Sequence, residues 1–95
     1  NENVRNIKKG YIYLSSKLKI YNEEFHGGKV TNAILLKLPS NKLCKDLTLY
    51  LKRKKIYIRD GFKKPINNYV RISLGSPKIL TKFFKEFIRW KRNII

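Results

Sequence analysis

Apolar side chains recur along this chain with two periods, and the switches between them mark its elements. Val4, Ile7, Tyr11, Leu14 and Leu18 fall at steps of three and four, which draws one stripe along a helix over about residues 3–20. Gly10 sits inside that stripe, where glycine weakens a helix. From Asn22 to Gly28 the pattern breaks, and Gly27-Gly28 reads as a turn. Val30 to Leu38 is a short apolar run closed by Pro39, a strand with at least one buried face. Ser40 or Asn41 can cap the helix that follows, where Leu43, Leu47 and Leu51 share a face, with Cys44 and Tyr50 beside them. Lys52-Arg53-Lys54-Lys55 sets cations at the negative end of that helix.

The period then drops to two. Ile56 and Ile58 take one face of a short stretch, and Tyr57 and Arg59 the other. In the next stretch Val70, Ile72 and Leu74 oppose Tyr69, Arg71 and Ser73, after a loop holding Asp60-Gly61 and Pro65. Gly75-Ser76-Pro77 starts a last helix, with Ser76 as N-cap and Pro77 at its first position. Its apolar face is Leu80, Phe83, Phe84, Phe87 and Ile88; Lys78, Lys82, Lys85, Arg89 and Arg92 line the other. The expected order is α-β-α-β-β-α. A small, mostly antiparallel three-stranded sheet with helices packed on one face buries every stripe at once, which is an α+β fold. Without repeat or linker, residues 1–95 are expected to form a single domain with a modest core.

Charge enlarges the range of partners: 23 basic side chains face 6 acidic ones, a net +17. Any polyanion becomes a plausible partner, although the lysines are spread over positions that periodicity already places in water. No apolar run approaches bilayer length and the first residues lack a signal-peptide pattern, so a cytoplasmic location is expected. The absence of methionine leads us to expect a piece cut from a longer protein. A lone cysteine, Cys44, offers neither an internal disulfide nor a metal cluster. It reads as a small core residue; His26, in the glycine-rich loop, is its only available imidazole partner for nucleophilic chemistry. Ser16 and Lys19 have a spacing seen in some serine enzymes but lie in the first helix without the rest of such a site.

If the helices cover the Ile/Val/Leu face of the sheet, the opposite face presents Tyr57, Arg59, Tyr69, Arg71 and Ser73. Guanidinium forks with hydroxyl donors make an anion platform. By pattern alone, a plain solvated face ranks ahead of that reading.

Three segments carry a resemblance that alters the balance. They are Thr31-Asn32-Ala33-Ile34-Leu35-Leu36-Lys37-Leu38, then Lys55-Ile56-Tyr57-Ile58-Arg59-Asp60, then Asn68-Tyr69-Val70-Arg71-Ile72-Ser73-Leu74-Gly75. In this order, and followed by an apolar terminal helix, they resemble the C-terminal small domain of fold-type I pyridoxal-phosphate-dependent aminotransferases. The match is to the histidinol-phosphate aminotransferase and threonine-phosphate decarboxylase type. The resemblance implies a domain that closes over a cofactor held by a large domain of the same protein. It implies that Arg71 binds the substrate's acidic group and Arg59 helps hold a phosphate, with Tyr57, Tyr69, Ser73 and Asn32 in support. Asn32, Asp60 and Gly75 would serve chiefly backbone geometry.

The same resemblance implies no catalytic residue, no cofactor-binding residue and no metal ligand in this chain. It should be inactive alone and monomeric, while the parent, acting on an amino acid or amino alcohol phosphate, pairs as a homodimer. One departure stands out: a glycine often precedes the Arg-Asp segment in the family, where this chain has Lys54-Lys55. The alternative reading is a basic nucleic-acid-binding α+β module, which accounts for the charge and the Tyr/Arg face but shows no known RNA-binding sheet motif. Peripheral membrane binding through the last helix is weaker, because its apolar stripe suits a core.

Overall fold

The computed structural model describes residues 2–27 and 32–94, with side chains from Val4 onward. The elements run α1 (Glu2–Ile20), β1 (Phe25–Gly27), β2 (Ala33–Lys37), α2 (Asn41–Arg53), β3 (Tyr69–Ser73) and α3 (Pro77–Ile94). The three strands pair antiparallel in the order β1-β2-β3. This is the α+β architecture that the periodicity implies, with three helices and one small sheet. No helix among the described residues is long and apolar enough to cross a membrane.

Period-2 alternation gives the β2–β3 ladder one apolar face, made of Ile34, Leu36, Val70 and Ile72, all at most 3% exposed. These four belong to a single core cluster with Leu14 and Leu18 of α1, Leu47 and Leu51 of α2, and Leu80, Phe83 and Phe87 of α3. Val4, expected on the α1 stripe, is 48% exposed instead; it lies on the first turn, before the helix reaches the core. Gly10 is buried in α1 for a steric reason. A Cβ there would stand 2.3 Å from the carbonyl oxygen of Gly75 and 2.8 Å from Leu80 Cδ1, so only glycine lets the helix lie against the turn after β3.

The order of elements is α-β-β-α-β-α, not the expected α-β-α-β-β-α, and two local features account for the difference. Phe25–Gly27 is an edge strand where a turn was expected, with Phe25 opposite Leu36, His26 opposite Leu35 and Gly27 opposite Ile34. Three residues are too few to display an alternation. Gly28, Val30 and Thr31, which the expected turn and strand included, lie outside the described residues. The stretch from Ile56 to Arg59 is not a regular strand: Arg59 alone bridges to β3, opposite Arg71. The end of α2 claims Ile56 first, because its N–H donates to the carbonyl of Leu51 at 2.9 Å.

That helix end, and the end of α1, have the same hydrogen-bond pattern. After α2, Lys55 N–H donates to Lys52 O and Ile56 N–H to Leu51 O; after α1, Asn22 N–H donates to Lys19 O and Glu23 N–H to Leu18 O. Each is a Schellman termination, which needs a left-handed residue just beyond the helix. Asn22 has φ 58° and Lys55 φ 63°. Asparagine tolerates that region; lysine is strained there. At the opposite end of α2, Ser40 Oγ accepts from Leu43 N–H at 3.2 Å, the expected N-cap.

Part-buried polar contacts fix α3. Trp90 Nε1 donates to Asp46 Oδ2 at 2.7 Å, Tyr50 Oη donates to Glu86 Oε1 at 2.9 Å, and Lys91 pairs with Glu23. Burial, then the hydrogen bond to Glu86 and its charge, pushes the Tyr50 phenol above its ordinary value.

Two substitutions test this account by chemical denaturation. Gly10→Ala should lose about 2 kcal/mol or more, despite alanine's better helix propensity, because the clash is with backbone. Lys55→Gly should gain about 0.5–1 kcal/mol, the left-handed strain relieved less glycine's extra chain entropy.

Candidate functional site

With every helix on one side of the sheet, the opposite side is left to its alternate residues. The pairing aligns them in a row: His26 is opposite Leu35, Leu35 opposite Arg71, and Arg71 opposite Arg59. The last pair is doubly bonded, Arg59 N–H donating to Arg71 O at 3.0 Å and Arg71 N–H to Arg59 O at 2.8 Å. Residues so paired have Cα atoms about 5.5 Å apart and side chains on the same face. Two guanidinium stems thus rise side by side, both exposed to water. Among the described residues no carboxylate stands within ion-pair distance of either. Like charges held this close repel, so an anion that bridges them is favoured.

Beside Arg71 lies a hollow of ≈ 350 Å³, lined also by His26, Gly27, Ala33, Leu35, Phe62 and Ile66. Phe62 and Ile66 belong to the connection between Arg59 and β3, which folds back toward the sheet rather than looping away. In this connection Tyr69 N–H donates to Ile66 O and Ile66 N–H to Lys63 O, both at 3.1 Å, and the Lys64–Pro65 peptide is cis. The hollow is therefore apolar-walled with Arg71 at its rim.

The other residues of the expected platform are distributed around this pair. Tyr69 faces the same side, but its hydroxyl donates to Glu24 Oε2 at 3.5 Å, and its ring lies 5.8 Å from that of His26. Glu24 is 3.6 Å from Lys37 Nζ and 3.7 Å from His26 Nε2, so this corner of the face is electrostatically satisfied. Tyr57, 71% exposed, and Ser73 border a second hollow of ≈ 450 Å³ that reaches Gly75, Ile79 and Lys82. Asn32 acts through its backbone, its carbonyl accepting Leu74 N–H at 2.7 Å. Sequence reasoning missed His26, because the three-residue β1 leaves no period, and missed Phe62 and Ile66. The latter two did leave a trace: apolar residues in an otherwise polar connection.

Alternative chemistries find no geometry. Cys44 is fully buried, in the core on the other side of the sheet from His26. Burial first, then the negative charge of Asp60, pushes its thiol from the ordinary 9.0 up to about 11. Ser16 Oγ donates to the carbonyl of Ile12 at 2.6 Å, a helix-internal bond. Among the described residues no group of three His, Cys, Asp or Glu side chains can hold a metal ion.

The fold is similar to part of a crystal structure from Erwinia carotovora atroseptica described as a histidinol-phosphate aminotransferase. The TM-score is 0.75 at 20% sequence identity, over 96% of this chain and 25% of that one. The chain thus spans about a quarter of the length of the protein it resembles, and at this identity the likeness shows the fold. No protein-family model and no curated protein matches the sequence.

The buried thiol gives a direct check. Because its folded pKa is raised, Cys44 contributes stability that is complete below pH 9.0 and is lost as pH climbs through about 11. Iodoacetamide should therefore label the native chain only as fast as it opens, in contrast to the same chain in denaturant, where labelling speeds up through pH 8 to 9 as a free thiol does.

Proposed function

We propose that this chain is the small domain of a pyridoxal-phosphate-dependent aminotransferase, and that its bare sheet face binds the acidic group of the substrate. The observation that carries this reading is the Arg59–Arg71 backbone pair, which sets two guanidinium groups, without carboxylate partners among the described residues, on an open face. The likeness to part of the Erwinia protein supports it.

Arg71 offers its planar fork to a carboxylate or phosphate, and Arg59 adds a second charge suited to a phosphate dianion. Leu35, Phe62 and Ile66 give the hollow beside Arg71 an apolar wall. Holding the anion fixes the orientation of the bonds at the substrate's amine-bearing carbon. Tyr57 and Ser73 border a hollow shared with α3 and, with Tyr69 and Asn32, support the face. An amino acid or amino alcohol phosphate meets these requirements.

Pyridoxal phosphate, when bound, supplies the electron sink for bond breaking at that carbon. The residues of this chain fit the substrate anion and not the cofactor. A Schiff-base lysine is typically desolvated, and every described lysine is at least partly exposed. The cofactor therefore falls to a large domain elsewhere in a longer, cytoplasmic and homodimeric protein, and the 95-residue chain has no activity alone.

In the full-length gene product, borohydride reduction after cofactor addition should leave a stable adduct on a lysine outside these residues. Arg71→Ala should then cut kcat/KM for acidic amino-group donors by about a hundredfold, the worth of about 2–3 kcal/mol for a charge-assisted pair. Failure of the full-length protein to take up cofactor, or an unchanged kcat/KM, would exclude the reading.

A further inference from the structure

The helical layer carries a second cationic surface, which shares no lining residue with the hollow beside Arg71. Between α1 and α3 runs a furrow with a hollow of ≈ 370 Å³, bordered by Tyr13, Lys17, Tyr21, Lys85, Arg89 and Arg92 among others. No carboxylate lines it among the described residues. Four of the six acidic residues have partners: Glu23 with Lys91, Glu24 with Lys37 and His26, Asp46 with Trp90, and Glu86 with Tyr50. Glu86 also reaches Arg89 Nη1 at 3.3 Å, so Arg89 is partly neutralised. Lys17, Lys85 and Arg92 have no carboxylate in reach among the described residues.

Aromatic rings lie among these cations. Lys17 Nζ stands 5.9 Å from the centroid of Tyr13. Tyr21 is 47% exposed, and its ring is steadied by an edge contact with Phe84 at 5.2 Å and 69°. A half-open, held ring flanked by positive charges is the arrangement on which an unpaired base stacks while its phosphates meet lysine and arginine. A small anion would have no use for the ring. A duplex buries its base faces in its own stack and cannot offer one. A lipid surface would seek a projecting apolar face, whereas this site is a concave furrow.

We infer that the α1–α3 furrow binds a single-stranded polynucleotide, with a base against Tyr21 and backbone phosphates against Lys17, Lys85 and Arg92. The inference does not rest on the aminotransferase reading, and either can fail without the other.

The test is a fluorescence-anisotropy titration of the 95-residue chain with labelled oligothymidylate, each variant checked by circular dichroism. For three phosphate contacts on a single strand, raising salt from about 50 to about 200 mM should weaken binding about twentyfold. Lys85→Glu with Arg92→Glu should weaken it at least about tenfold, whereas Lys42→Glu with Lys45→Glu, an equal change in net charge on α2, should cost under about threefold. The milder Lys85→Ser with Arg92→Ser is read the same way if the reversals disturb the fold. Tyr21→Ala should lose about tenfold and Tyr21→Trp should retain affinity. Equal losses from the furrow and α2 pairs would overturn the inference in favour of diffuse charge. Binding to phosphatidylserine vesicles without binding to the oligonucleotide would overturn it in favour of a membrane.

Discussion

Every apolar stripe in this chain has to be buried against one small surface, the face of the β2–β3 ladder carrying Ile34, Leu36, Val70 and Ile72. Three amphipathic helices converge there, because a stripe left in water forgoes the largest favourable term in folding. The consequence lies on the other side of the sheet. With the helices committed to one face, Arg59 and Arg71 on the other stay exposed, and the connection holding Phe62 and Ile66 folds toward it. The close approach of α1 to the turn after β3, permitted by Gly10, is what lets the helical layer settle on so small a platform.

The bare face acquires its character from a backbone event. A Schellman termination at the end of α2 draws Ile56 into the core and turns the chain so that Arg59 comes alongside Arg71. The two N–H···O bonds between them are ordinary ladder bonds, yet they hold two cations on adjacent strands where sheets usually avoid like charges. Lys55 accepts a left-handed conformation at this same turn.

The excess of positive charge becomes intelligible once the few carboxylates are located. Those with described contacts are drawn to the α2, β1 and C-terminal side of α3, where they satisfy Trp90, Tyr50, Lys91 and Lys37. Among the described residues only His26, Lys37, Arg89 and Lys91 have a carboxylate in ion-pair reach, so most cations stay uncompensated, those of the Arg59–Arg71 face and most of those in the α1–α3 furrow among them. The two surfaces differ in form: one is an apolar-walled hollow beside a guanidinium pair, the other a furrow with an exposed ring.

Long periodic elements were legible from residue order. The three helices, the capped start of α2 at Ser40, the strands about Ile34 and Val70, and the placement of Arg71 on the face away from the core all follow from spacing, because burial of an amphipathic element depends on its own period. The three-residue β1 was not legible, nor was the loss of regular strand at Ile56–Arg59. The first is too short to carry a period; the second depends on competition between a helix end and a sheet edge for the same backbone groups. Charge was countable from the sequence, but which cations stay unpaired depends on contacts such as Glu23–Lys91 and Glu86–Arg89, one of them spanning most of the chain. Local patterning thus specified the elements and their faces. Pairing between distant residues, which has no local signature, decided that Arg59 stands beside Arg71, that Phe62 and Ile66 line the hollow there, and that the α1–α3 furrow is left positive.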